Sequence, residues 1–273
     1  MVITKKKSYR YIPHPYCIYM RRPNTIGKNP TGEFAVNNYG FGNTEPTKLG
    51  KDPSKTRIIC IGGSTTEMVW KTADNTYPNH LGGELGKYYE VLNAGVSGWT
   101  TAEMLINFEL RLLDFKPDII VIYAGFNDVK GAAMYDDFKT DYSHARMPLG
   151  FTPTKENKNL LNNILPAGAI WRKDRVPDIA IEAFRRNIIS MIAIALYNNI
   201  KPLVVKMNIN PDNCYPENML DGIKRNMKAI KNEVPNFLEI NGLTKDDFID
   251  GCHFNTSGMK KMGKAISQVI KQL

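Results

Sequence analysis

The octapeptide DIIVIYAG, residues 118–125, is apolar or aromatic at almost every position after its first residue. A strand with one wet face alternates polar and apolar side chains. A strand apolar throughout is buried on both faces, the condition of a parallel sheet with helices packed above and below it. Shorter apolar runs recur at 57–61, 90–93, 202–206 and 237–240. Between them lie stretches near 76–88, 100–115, 178–199, 216–233 and 257–272 in which apolar residues return every three or four positions. Ile181, Phe184, Ile188, Met191, Ile192 and Ala195 fall on one such stripe, and Met259, Met262, Ile266, Val269 and Ile270 on another. Strands alternating with helices predict an α/β fold, a three-layer α/β/α sandwich around a central parallel sheet joined by right-handed βαβ units.

Two regions break that rhythm. Residues 1–56 intersperse Pro13, Pro15, Pro23, Pro30, Pro46 and Pro53 with glycine and asparagine and hold no sustained period, which reads as irregular chain. Tyr9, Tyr11, Tyr16, Tyr19, Phe34 and Phe41 are too many aromatics for a free tail, so this segment is expected to be an ordered arm packed on a domain spanning 57–273. Residues 131–177 form a long irregular insertion, and loops of that length are commonly lids or disordered segments. Tyr135, Phe138, Tyr142, Phe151 and Trp171 would suit a lid.

The composition narrows the function classes. Lysine and arginine exceed acidic residues by nine, but the excess is dispersed and accompanies no helix-turn-helix or RNP-like element. A nucleic-acid partner is therefore not expected, whereas an anionic substrate is compatible with the charge. Cys17, Cys60, Cys214 and Cys252 show no CxxC spacing, which predicts reduced thiols with no metal site and no disulfide framework. No run approaches the length of a membrane span, and the first fifteen residues have no apolar signal core, so a cytoplasmic protein without a transmembrane segment is expected.

Parallel sheets collect ligand sites at the carboxyl ends of their strands. The first apolar run ends in Gly62-Gly63-Ser64-Thr65-Thr66, the second in NAGVSGWTT (93–101), the third in YAGFND (123–128), and the last is followed by DGCH (250–253). Hydroxyl, glycine, amide, carboxylate and imidazole thus converge on one rim. Ser64 could be a nucleophile at a sharp strand exit, or it could simply cap a helix. GGSTTEMVW lacks the lysine of a phosphate-binding loop, and Thr66 stands where the elbow GxSxG requires glycine. His253, one of four histidines, has a carboxylate, Asp250, three residues before it in an apparent loop. That pair could orient a general base, or it could be a simple aspartate turn. Cys252, between them, has no second histidine placed to activate it. Asn127 and Gly98 could donate hydrogen bonds to an oxyanion together with the Ser64 N–H, or they could be ordinary loop residues.

The four blocks IGGST (61–65), NAGVSGWTT (93–101), GFND (125–128) and DGCHFNTSG (250–258) together resemble the SGNH, or GDSL-type, hydrolase superfamily, in order and position, across residues 57–273. The resemblance implies a flavodoxin-like sandwich and a serine esterase with Ser64, Asp250 and His253 as its triad. It further implies Ser64, Gly98 and Asn127 as the oxyanion hole, with no metal or organic cofactor. One departure is plain: Gly63 stands where the family motif has aspartate, so the turn must be held in another way. HPYCIYMRRPN and NNYGFGN in the arm are similar to segments of bacterial relatives associated with surface polysaccharides. Trp70 and Trp99, at the serine and glycine blocks, could wall a substrate pocket or equally be ordinary core residues. An aromatic rim suits sugars better than acyl chains, which points to O-acetyl ester cleavage on a carbohydrate. An O-acyltransferase, a lipid or thioester acyl hydrolase with the same site, and a non-catalytic carbohydrate-binding protein on the same fold are the alternatives.

Overall fold

A computed structural model describes residues 10–29, 32–68, 75–134, 138–145, 175–212 and 215–273. Five parallel strands form the central sheet: β5 (Thr56–Gly62), β6 (Tyr89–Asn93), β7 (Ile119–Tyr123), β8 (Lys201–Val205) and β9 (Phe237–Leu238), in the order β6-β5-β7-β8-β9. This is the flavodoxin-like order, in which the chain leaves β5 toward one edge and returns on the other side at β7. Ile58 pairs in register with Val91 of β6 and Ile119 of β7. Every residue of β7 is buried, as its unbroken apolar run requires.

The helices are α1 (Ser64–Glu67), α2 (Tyr77–Leu85), α3 (Thr101–Leu110), α4 (Phe126–Met134), α5 (Asp178–Tyr197), α6 (Glu217–Ile230) and α7 (Thr256–Ile270). They pack in two groups, α2 with α7, and α3, α4, α5 and α6 with one another. The buried face of α5 includes Phe184, Ile188, Met191, Ile192 and Ala195, and that of α7 includes Met259, Met262, Ile266 and Ile270, matching the sequence periods. The stretch read as one helix over 100–115 is α3 followed by a 3-10 turn at Leu112–Phe115, broken at Arg111, whose ψ of −48° accompanies a φ of −139°.

The arm corrects one expectation. It is not irregular but holds two antiparallel hairpins, β1 (Tyr11–His14) with β2 (Ile18–Arg21) and β3 (Thr25–Asn29) with β4 (Gly32–Val36). Strands of four and five residues carry too few alternations to register as a period, and Pro13 inside β1 conceals it further. The arm is tied to the sheet edge: the Gly42 N–H donates to Asn93 O at 2.8 Å, and Asn43 Nδ2 donates to Val91 O at 2.9 Å.

Candidate active site

β5, β6 and β7 are the three strands around the topological switch, so the loops at their carboxyl ends open onto one crevice. Ser64 is the first residue of α1, one turn long, which Met68 ends in a left-handed conformation at φ 51°. The turn is held by Thr66 and Glu67 N–H groups on Gly63 O at 3.1 and 3.0 Å, and no side chain caps it. The alternative that Ser64 serves as the helix cap therefore falls away.

Asp250 and His253 reach the same place from the loop before α7. That loop is fixed at both ends. Ile249 N–H donates to His253 O at 2.9 Å, and Phe248 bridges to Phe254. Asn255 caps α7, its side chain accepting Ser257 and Gly258 N–H at 2.8 and 3.1 Å. The ring of His253 is thereby set with Nε2 2.8 Å from Ser64 Oγ and Nδ1 2.7 Å from Asp250 Oδ2. Asp250 Oδ1 accepts the backbone N–H groups of Cys252 and His253 at 2.9 and 2.8 Å.

The electrostatics follow from these contacts. Burial on its own would raise the Asp250 pKa, but the His253 ring and the two backbone donors outweigh it and hold the carboxyl below the usual carboxylate range. A carboxylate against Nδ1 selects the tautomer with its proton there, which leaves Nε2 as the acceptor for the Ser64 hydroxyl. This arrangement can draw the hydroxyl proton onto the imidazole while Asp250 stabilises the resulting cation. Cys252 is buried, and burial raises its thiol pKa, which keeps it protonated. Its Sγ lies with the Asp250 carboxylate and a His253 nitrogen in a trio whose donor atoms are within 4.8 Å of one another, a set a soft cation could use. Here the Asp250 and His253 members are engaged with each other.

The other rim residues stand close by. Gly98 has φ +82°, a left-handed conformation that a side chain would strain. Asn127 is buried, and its Nδ2 donates to Trp99 O at 2.9 Å. An amide carries two N–H groups, and the bond to Trp99 uses one. A Cβ on Gly63 would come within 2.8 Å of Asn127 Nδ2. Glycine at 63 therefore leaves the Asn127 amide its place beside the turn that carries Ser64.

The described residues bear on part of the aromatic rim. Trp99 does not wall a pocket: its indole is 2% exposed and donates to Tyr19 O at 3.1 Å, so the residue meets the site through its carbonyl. Of the aromatics expected in a lid, Tyr142 is buried with its hydroxyl 2.8 Å from Asp128, and Phe138 packs against it. Trp70, Tyr135, Phe151 and Trp171 lie outside the described residues.

Sequence reasoning missed a second layer. Glu67, at the end of α1, is buried and accepts the Ser97 N–H, the Tyr11 hydroxyl at 2.9 Å and an ion pair from Arg21 Nε at 3.4 Å. Only the acid one turn after Ser64 could have hinted at this; its partners are 30 to 56 positions away.

Residues 60–261 match the family model of the GDSL-like Lipase/Acylhydrolase family. Among solved structures, Est24, a carbohydrate acetylesterase from Sinorhizobium meliloti, superposes with a TM-score of 0.54 at 15% identity, over 80% of this chain and 99% of that one. A protein assigned to the G-D-S-L lipolytic family from Desulfitobacterium hafniense DCB-2 gives 0.53 at 19% identity, over 79% and 99%. The acetyl xylan esterase AlAXEase gives 0.51 at 15% identity, over 78% and 99%. At these identities the likeness is one of fold. No curated protein matches the sequence.

Proposed function

The chain belongs to the GDSL-like lipase/acylhydrolase family and is a carboxylic ester hydrolase, and from that premise we propose that it cleaves O-acetyl esters of carbohydrates through an acyl-Ser64 intermediate. The observation that carries the proposal is the continuous hydrogen-bonded line from Ser64 Oγ through His253 to Asp250, with steps of 2.8 and 2.7 Å. Ser64 Oγ attacks the ester carbonyl carbon as its proton passes to His253 Nε2. Asp250 offsets the imidazolium charge. The tetrahedral oxyanion is met by the N–H groups of Ser64 and Gly98 and by Asn127 Nδ2. Collapse breaks the carbon–oxygen bond to the alcohol, which takes the proton from His253. Water, deprotonated by the same imidazole, then attacks the acyl carbon and releases the carboxylic acid and free Ser64. The net reaction is ester plus water to alcohol plus acid.

The acetyl and carbohydrate parts of the proposal are supported by the fold shared with Est24 and the acetyl xylan esterase. They are tested by comparing p-nitrophenyl esters from acetate to dodecanoate beside acetylated sugars. The expected result is the highest kcat/KM on acetyl esters, acetate release from the sugars, and a loss of several orders of magnitude in Ser64→Ala. A preference for long acyl chains would overturn the acetyl assignment, and full activity in Ser64→Ala would overturn the mechanism.

A further inference from the structure

The arm reaches the Gly98 loop through the peptide unit that supplies the proposed oxyanion donor. Ser97 C=O and Gly98 N–H are the two ends of one planar peptide, and no cis peptide occurs among the described residues. In a trans unit these groups point in opposite directions, so fixing the oxygen fixes the line of the N–H. Tyr19, on β2, fixes that oxygen: its buried hydroxyl donates to Ser97 O at 2.5 Å. Tyr19 also accepts the Trp99 indole N–H on its own carbonyl at 3.1 Å, which anchors the residue after Gly98. On the other side, the Ser97 N–H is held by Glu67 of the Ser64 helix. Glu67 is in turn pinned by Tyr11 and Arg21, and Arg21 Nε donates to Gly95 O at 2.7 Å. Successive peptides around Gly98 are thus clamped between the arm and the turn that carries Ser64.

We propose that Tyr19 is a positioning residue for the reaction, aiming the Gly98 N–H at the oxyanion through the Ser97 carbonyl, with Glu67 coupling that aim to the Ser64 turn. This rests on the esterase reading of the site. An ordinary core tyrosine would only fill space and satisfy a carbonyl, and its loss would lower stability without singling out the transition state. A tyrosine that aims a donor must show itself where negative charge develops.

The test uses Tyr19→Phe, which removes one oxygen and keeps the ring, and Glu67→Gln as a second variant on the other face of the clamp. Full-length variants with a circular dichroism spectrum like wild type are assayed on p-nitrophenyl acetate and with a boronic acid that forms a tetrahedral adduct on serine. Losing an oxyanion donor outright costs roughly 10²–10³ in turnover, so misaiming one is expected to cost about tenfold or more in kcat with KM little changed. The boronate affinity should fall by a similar factor. Hydrogen exchange of the peptide containing residues 95–99 should quicken in both variants. That readout does not need activity, so an inactive wild type would sink the esterase reading while the exchange still judges the clamp. Unchanged exchange, or unchanged kcat and boronate affinity in folded Tyr19→Phe, would overturn the proposal.

Discussion

Asp128 shows how one residue of a site block can serve the scaffold. It follows Asn127 in sequence, yet it faces away from Ser64 chemistry and into a buried cluster. Its Oδ1 accepts the Thr101 hydroxyl at 2.6 Å, the Thr101 N–H at 3.1 Å and the Tyr142 hydroxyl at 2.8 Å. Burial pushes its pKa up to about 6, against the opposing effect of those donors. A carboxyl raised on folding favours the protonated form in the native state. Its contribution is therefore complete below the unfolded value near 4 and is lost as pH rises through about 6. Two pKa units correspond to about 3 kcal/mol, an order of magnitude for the cost of keeping this charge buried at pH 8. Asp128→Asn retains a carbonyl acceptor for Thr101 and Tyr142. In urea unfolding it should match wild type near pH 4 and exceed it by a few kcal/mol at pH 8; an equal difference at both values would show that the charge is not what costs. The sequence placed Asp128 at the strand end. It could not show which way the side chain turns, because Thr101, at the start of α3, and Tyr142 reach it from 27 and 14 positions away.

Among the elements, α7 matters most to the site because its first turn sets the loop holding Asp250 and His253. Asn255 side-chain oxygen satisfies two N–H groups of that turn, and Asn255 N–H donates to Asp247 O at 2.9 Å. Replacing such a cap by alanine costs roughly 0.5–2 kcal/mol. Asn255→Ala should lower the unfolding free energy by that much, and the thermal midpoint with it, and, by loosening His253, should reduce kcat more than it raises KM. Unchanged kcat at the lowered midpoint would mean that the cap stabilises the helix without holding the imidazole. The helices and buried strands were legible in sequence because each carries its own period or its own unbroken apolar run. The arm hairpins were not, because four-residue strands paired across a turn draw their stability from contacts with the β6 edge and the Gly98 loop. Those contacts join residues 48 to 80 positions apart and leave no local signature.

At the scale of the whole molecule, topology does the gathering. The order β6-β5-β7 forces the three loops that follow these strands to share one crevice, and α7 returns the end of the chain to the same rim. Ser64 and His253 thereby meet across 189 positions. That meeting was legible in outline, since four short blocks in a fixed order imply a common site even where each is weak alone. For Trp99 the sequence left pocket wall and core residue equally open, because a large aromatic beside a site block suits either until packing shows it buried. None of the described helices is long and apolar enough to cross a membrane. The central claim is that this fold turns Ser64 into a nucleophile through His253 and Asp250. Its most direct test is to treat the full chain with a fluorophosphonate and map the adduct by peptide mass spectrometry. The expected result is a single adduct on Ser64, absent in Ser64→Ala and formed far more slowly in His253→Ala. An adduct elsewhere, or labelling of Ser64 at an equal rate without His253, would contradict the account.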